Sequence, residues 1–380
     1  MEHASLEAAE LRDAIRGLLS AESGSQSVRR AIAGDAAFRA PLWSKMAELG
    51  WFGIGIDTRF GGLGLGFESL AVLYEELGRH LTPIAVGQTL LAAEALKLGD
   101  NETLRAQWLP QLASGETSAT IALPQVNGAL NGSRVGAELL AKGTLDHVID
   151  GRGAQLLLVP IAVANGGRAL VAIEPMANGV SVLERPCIDQ TRTLSAITVS
   201  NVHVSPAQIL HLEASDWNRL LDHASLGIAS DAIGGATRIF EQTVDYMKTR
   251  VQFGRPIGSF QALKARAAHW KIQLEAATAL TGRAVEMFAA GDPEHSRWSS
   301  DAKFYACDTY AAIAGDAIQL HGGIGFTWEH DCHLFLKRAK LNQMLYGSSV
   351  QHKERAAELM FHAAIRGTAV KSLSRVETFR

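Results

Sequence analysis

The chain is 380 residues long, with 47% hydrophobic and 20% charged residues and a formal net charge of −3. That length exceeds a typical single core and predicts two or three packed units, and the composition excludes whole-chain disorder. The balance of 36 basic against 39 acidic residues excludes a general electrostatic grip on nucleic acid, where phosphate neutralisation dominates, and leaves room only for a local phosphate site.

Cys187, Cys307 and Cys332 lie far apart without CxxC spacing, so the chain reads as one kept reduced in the cytoplasm rather than stapled by disulfides. The N-terminus carries early acids and no basic run ahead of an apolar one, so it does not read as a secretory signal. No apolar window approaches the roughly 18 residues of a membrane span.

From about Leu6 to Leu112 the pattern is helical, with Leu11, Ile15, Leu18 and Leu19 at three- and four-residue steps. The helix predicted from Ser69 stops at Gly78, and the glycine-rich stretch from Trp51 to Gly66 predicts close backbone approach rather than helix. From about Thr117 to Ile209 the period shortens. Segments 118–123, 155–159, 168–173 and 197–204 are predicted strands, and their short spacing favours an antiparallel barrel or sandwich. The helical period returns from about Asp216, with long helices predicted over 260–290 and 298–320. The expected units are a helical domain at 1–115, a β domain at 116–212 and a helical bundle at 213–380.

Three segments carry candidate chemistry. Between Lys248 and Gln261 the chain turns through Gly254, Pro256 and Gly258, with Arg250 and Arg255 beside the turn. A guanidinium chelates phosphate oxygens in bidentate fashion, although on chemistry alone a helix–helix corner with solvated arginines is the favoured reading. Residues 317–327 end a helix in Gly322-Gly323 with Gly325 beyond, which suits either an anion nest or a helix cap. His330 and His333, with Cys332 between them, invite a metal, but no second ligand pair stands nearby at established spacing, so no metal is expected. The run Lys337-Arg338-Ala339-Lys340 reads as a solvated helix face, and no GxGxxG, P-loop or GxSxG motif is present.

Taken in order, these segments resemble the acyl-CoA dehydrogenase family over nearly the whole chain. The resemblance rests on the RVQFGRPI run at 250–257, Phe260-Gln261, QLHGGIGF at 319–326, FGGLG at 60–64 and EELG at 75–78. It implies a mainly α fold with a central β-barrel: an N-terminal helical domain, the barrel and a C-terminal four-helix bundle. FAD would lie between barrel and bundle and reach a neighbouring subunit. Arg250 would hold its pyrophosphate across a dimer interface, with Phe253, Gln261, Gln319, His321, Gly322, Gly323 and Gly325 lining the adenosine and pyrophosphate end. The implied reaction is α,β-desaturation of an acyl-CoA: a carboxylate takes the α-proton, the β-hydride passes to flavin N5, and electrons leave to an electron-transfer flavoprotein.

The sequence departs from that pattern at the base. Tyr346 stands where many members carry glutamate, and Ala224 where others do. Asp231 matches a glutamate of a further group, one methylene shorter, and is the candidate base, with Glu241 behind it. The usual flavin-shielding segments of the barrel also have no good match. The departures resemble the subunits that pair with a catalytic chain in heterotetrameric dehydrogenases for steroid side chains. Three functions are therefore carried forward: a dehydrogenase of bulky acyl-CoAs, a non-catalytic partner subunit in a dimer of dimers, and a related flavin oxidase or monooxygenase.

Overall fold

The structure, a computed structural model, describes residues 2–35, 37–84, 86–163 and 167–365. Helices open the chain: α1 (Glu2–Glu22), α2 (Ser25–Ile32), α3 (Arg39–Glu48), α4 (Phe67–Arg79), α5 (Val86–Leu98) and α6 (Glu102–Ala113). Strands follow: β1 (Ala119–Ile121), the short α7 (Pro124–Asn127), β2 (Leu130–Val135), β3 (Glu138–Ile149), β4 (Leu156–Ala162), β5 (Arg168–Ile173), β6 (Val180–Arg185), β7 (Leu194–Val204) and β8 (Ile209–His211). Helices then return as α8 (Ala214–Thr249), α9 (Gln261–Ala289), α10 (His295–His321), α11 (Cys332–Met344) and α12 (Ser349–Ile365). A small hairpin, β9 (Val251–Gln252) with β10 (Arg255–Pro256), joins α8 to α9. Among the described residues no helix is long and apolar enough to cross a membrane.

The barrel expectation needs correction. The main sheet runs β6-β7-β3-β2-β4-β5-β8, with β1 also beside β4, and its end strands do not pair with each other, so the sheet is open. Two pairings, β1 with β4 and β2 with β4, are parallel rather than antiparallel. A barrel closes only when its edges pair. Here the β8 edge is taken instead by the turn into α6: Asn101 Nδ2 donates to the carbonyls of Ala207 and Ile209, and Asp100 Oδ1 accepts from the His211 amide.

Side chains alternate across the sheet as strand geometry requires. Leu157, Val159 and Ile161 of β4 pack with Val171 and Ile197 into a core of the sheet's own, while Leu156 and Leu158 belong to the larger helical core. Four strands of this sheet, β2, β3, β6 and β8, escaped the sequence pattern. β3 carries Lys142 and Asp146, and β6 carries Ser181, Glu184 and Arg185, so each shows only one apolar face.

The helix α8, 36 residues long, is the axis of the molecule. It packs on α4 and α5 on one side and on α9, α10 and α11 on the other, while α10 also carries α9 and α12. Its crossing with α4 is made by glycine. A Cβ at Gly234 would sit 1.8 Å from the Glu75 carbonyl oxygen, and one at Gly78 would sit 2.0 Å from that of Asp231. The two backbones touch there, which fixes Asp231 in depth against α4.

That crossing is directly testable. Gly234→Ala should cost about 3 kcal/mol or more in urea unfolding, because backbone atoms have no rotamer to retreat into. Gly282→Ala in α9, where a Cβ meets nothing within 4 Å, should instead gain about 0.5–1 kcal/mol.

Candidate active site

A cavity opens where α4, α5 and α8 meet the turn after α11. Tyr74 and Leu77 line it from α4, and Gly87, Gln88 and Leu91 from α5; His223, Ala224, Gly227, Ile228 and Asp231 line it from α8. Arg192 and Tyr346 close it. The three positions weighed for a base, Ala224, Asp231 and Tyr346, thus converge on one space although 122 residues of sequence separate the outer two. Helical spacing brings Ala224 and Asp231 to one face, since seven residues are nearly two turns.

None of them offers a free carboxylate. Asp231 is buried, and both oxygens are taken: Oδ2 accepts from Arg192 at 2.9 Å and from Arg338 at 2.9 Å, and Oδ1 accepts from Asn342 at 2.7 Å. Arg338 also reaches Asp189 at 2.7 Å and is 0% exposed. The expectation of a solvated face over residues 337–340 fails at this residue. Desolvation alone would strip a buried guanidinium of its charge, so two carboxylates accompany it. Burial works against the charge of Arg338, but Asp231 and Asp189 outweigh it and its pKa stands above the ordinary value. Arg192 is lowered, by burial first and then by the charge of Arg338.

The other groups are no better placed to take a proton. The Tyr346 phenol is pushed up to about 12 by burial, and its oxygen accepts from Gln88 Nε2. Tyr346 sits at φ 57° on a turn held by Lys303, which donates to the carbonyls of Asn342 and Gly347, and by His352. His223 is paired with the Tyr74 hydroxyl at 3.0 Å and is pushed down to about 4 by burial. Glu241 lies outside this cavity and pairs with Arg79 at 2.5 Å. Sequence reasoning missed Arg192, Arg338, His223, Tyr74 and Gln88. Nothing local marks them, because each acquires its role from a partner far away in the chain.

The second group of candidates collects at the other end of α8. The β9–β10 hairpin turns through Phe253 and Gly254, both at positive φ (52° and 77°), as a two-residue primed turn requires. Phe253 is 92% exposed despite its strained backbone. Arg255 stacks over Phe260 at 4.2 Å. Arg250 and Gln261 are exposed, and the Arg250 guanidinium has no partner among the described residues. Tyr246, one helical turn before Arg250, stacks on His321 with ring centroids 4.4 Å apart, and its hydroxyl donates to the His321 carbonyl. The hairpin and the His321–Gly325 turn therefore share one end of the bundle. In that turn Gln319, Gly322 and Gly323 are exposed, Gly322 has φ 63°, and a Cβ at Gly325 would meet the Ile318 carbonyl at 2.6 Å.

Comparison with known proteins decides the family. The acyl-CoA dehydrogenase N-terminal domain matches residues 5–116, and the acyl-CoA dehydrogenase C-terminal domain matches residues 216–361. The acyl-CoA dehydrogenase IpdE2 of Mycolicibacterium smegmatis is 31% identical over 89% of this chain and 93% of its own length. This chain belongs to the acyl-CoA dehydrogenase family. The acyl-CoA dehydrogenase FadE34 of Mycobacterium tuberculosis is 33% identical over 80% of this chain and 40% of its own length. Among solved structures, the Tcur3481–Tcur3483 steroid ACAD superposes with TM-score 0.87 at 26% identity, covering 95% of this chain and 99% of that one. The ChsE4–ChsE5 complex of Mycobacterium tuberculosis superposes at 0.86 with 23% identity, covering 92% and 96%.

Acyl-CoA dehydrogenases are oxidoreductases acting on the CH–CH bond of an acyl-CoA with FAD, and this chain takes part in that chemistry. FAD supplies the hydride acceptor. The exposed end of the bundle fits the diphosphate of such a group. A Cβ at Gly322, Gly323 or Gly254 would meet nothing within 4 Å, so a ligand can approach the backbone there, beside an unpaired guanidinium.

The buried charges make two predictions. Arg338→Met leaves Asp189 without its cation and Asp231 with only one of its two, and should cost about 3–5 kcal/mol of stability, read as a fall in the urea midpoint. His223 and His352, each held near 4 by burial against an ordinary 6.5, bind fewer protons folded than unfolded across that interval. Stability is therefore full above about pH 6.5 and declines as pH falls toward about 4. His223→Gln should remove up to about 1.4 kcal/mol per pH unit of that slope in urea melts at pH 7, 6 and 5.

Proposed function

We propose that this chain is the FAD-sharing, non-catalytic subunit of a hetero-oligomeric acyl-CoA dehydrogenase, completing the flavin site of a homologous chain that carries the catalytic carboxylate. The observation that carries this reading is the cavity itself: it occupies the position where the proton acceptor belongs and holds no unengaged carboxylate. A base must reach the α-proton with a free lone pair near working pH. Asp231 has three donors on its two oxygens, Tyr346 is too weakly acidic to exist as phenolate, and His223 is too weakly basic.

A second argument comes from distance. Arg250 lies 19 residues beyond Asp231 on a continuous helix, about 28 Å along the axis. The ring and diphosphate of one flavin dinucleotide are much closer together than that. Arg250, Phe253, Gln319 and the Gly322–Gly323 amides thus serve a flavin other than one lying over the chain's own cavity, which supports a site shared with an adjoining subunit. We read Arg250 as the diphosphate ligand, with Gln261, His321 and Gly325 shaping the turn around it. The assembly would be a cytoplasmic dimer of dimers acting on a bulky acyl-CoA, of which a steroid-derived thioester is one class, and would pass electrons to an electron-transfer flavoprotein.

Asp231 as base remains the second reading, because it does line the cavity. It requires Asn342 to release Oδ1, or Arg192 and Arg338 together to release Oδ2, when the thioester enters.

Expression of this chain alone, and together with a carboxylate-bearing homologue, separates the two readings. The subunit reading expects flavin and acyl-CoA-dependent bleaching only in the co-expressed complex, with Arg250→Ala lowering FAD content at least about tenfold. A yellow homo-oligomer of this chain that is bleached by acyl-CoA would sink it. Loss of that bleaching in Asp231→Asn, with the melting curve unchanged, would establish Asp231 as the base.

A further inference from the structure

The sequence spaces His330 and His333 three residues apart, as if to share an ion, but folding gives His330 a different partner. His321, at the last turn of α10, lies against the start of α11. Ligand atoms of His321, His330 and Cys332 all fall within 4.8 Å of one another. Cys332 Sγ is 3.4 Å from His321 Nδ1, and the two imidazole centroids are 4.3 Å apart. Donor atoms around a tetrahedral zinc stand roughly 3.3–3.8 Å apart, so the three groups need only a small contraction to share one ion. Two imidazoles and a thiol select zinc-class ions over magnesium or calcium, which prefer oxygen.

The cluster is also held in place by its surroundings. His321 Nδ1, the nitrogen beside Cys332, also lies 2.8 Å from the Ala317 carbonyl oxygen, so an ion held between Nδ1 and Sγ would take the place of that hydrogen bond. Tyr246 stacks on the same ring at an interplanar angle of 25°. Arg29 of α2 grips Asp331 through two nitrogens, at 3.0 and 2.7 Å, and also reaches the Trp328 carbonyl, which anchors the loop carrying His330 and Cys332. His321 and Cys332 are buried and His330 is half-buried, so an ion would enter past His330.

We propose that His321, His330 and Cys332 bind one divalent cation of the zinc class, with a fourth position open to water. The ion would bridge residues 321 and 332 and so brace the Gly322–Gly325 turn between them. The site stands on its own residues and does not depend on the subunit reading above.

The test uses the full chain, stripped of metal by dialysis against chelator and titrated with Co²⁺ and Zn²⁺. One Co²⁺ per chain is expected, with a near-ultraviolet thiolate-to-cobalt absorption that Zn²⁺ displaces. Cys332→Ser should abolish that band, and His330→Ala should weaken Co²⁺ binding about tenfold or more. His269→Ala, an exposed histidine on α9, should leave both unchanged. Circular dichroism checks that each variant is folded. If Cys332→Ser is not, the half-buried His330 position decides the matter alone. Absence of the thiolate band in the unaltered chain, or undiminished affinity in folded His330→Ala, overturns the proposal.

Discussion

Four buried charges hold the three parts of this molecule in register. Arg338 on α11 and Arg192 on the connection between β6 and β7 face Asp231 on α8 and Asp189 on the same connection. Two positive and two negative groups cancel, so the set survives away from water where any single member would not. Arg338 adds hydrogen bonds to Thr191 and to the Thr82 carbonyl just beyond α4. One side chain thus ties the sheet domain, the N-terminal helices and the bundle together. The arrangement depends in turn on Gly78 and Gly234, which let α4 and α8 approach closely enough for Asp231 to sit at that depth.

The same interaction bears on function. A carboxylate that anchors two guanidiniums is not at leisure to take a proton from a substrate, since freeing it would strand Arg192 and leave Arg338 with Asp189 alone. Among the described residues, the one carboxylate that lines the cavity around it is this engaged Asp231. At the far end of α8, Arg250 has no partner among the described residues, Phe253 is strained and exposed with only the edge of Phe260 beside it, and Gly322 and Gly323 after α10 are open. Exposure of that kind is costly in isolation and calls for a neighbour. One helix thereby carries a structural anchor at its middle and an open, exposed edge at its end.

Much of this could be read along the chain. The helical period located α9 and α10 to within a few residues, and Gly78 marked the end of α4. The glycines at 322, 323 and 325 marked the turn where the backbone is open. These features are local: each depends on neighbours within a turn or two, and residue type reports it. The half-apolar strands β3 and β6 were invisible for the complementary reason, because their burial is set by strands distant in sequence.

The sequence by itself determined the order of helices, strands and helices and the glycine-rich turns. Only the tertiary structure decided that the sheet stays open, that Arg338 leaves a basic run for the core, that Asp231 is held by two arginines, and that His321 rather than His333 meets His330 and Cys332. The physical reason is common to all four. A charge, an edge strand or a ligand atom is defined by what lies opposite it, and that partner is brought there by folding across tens to hundreds of residues.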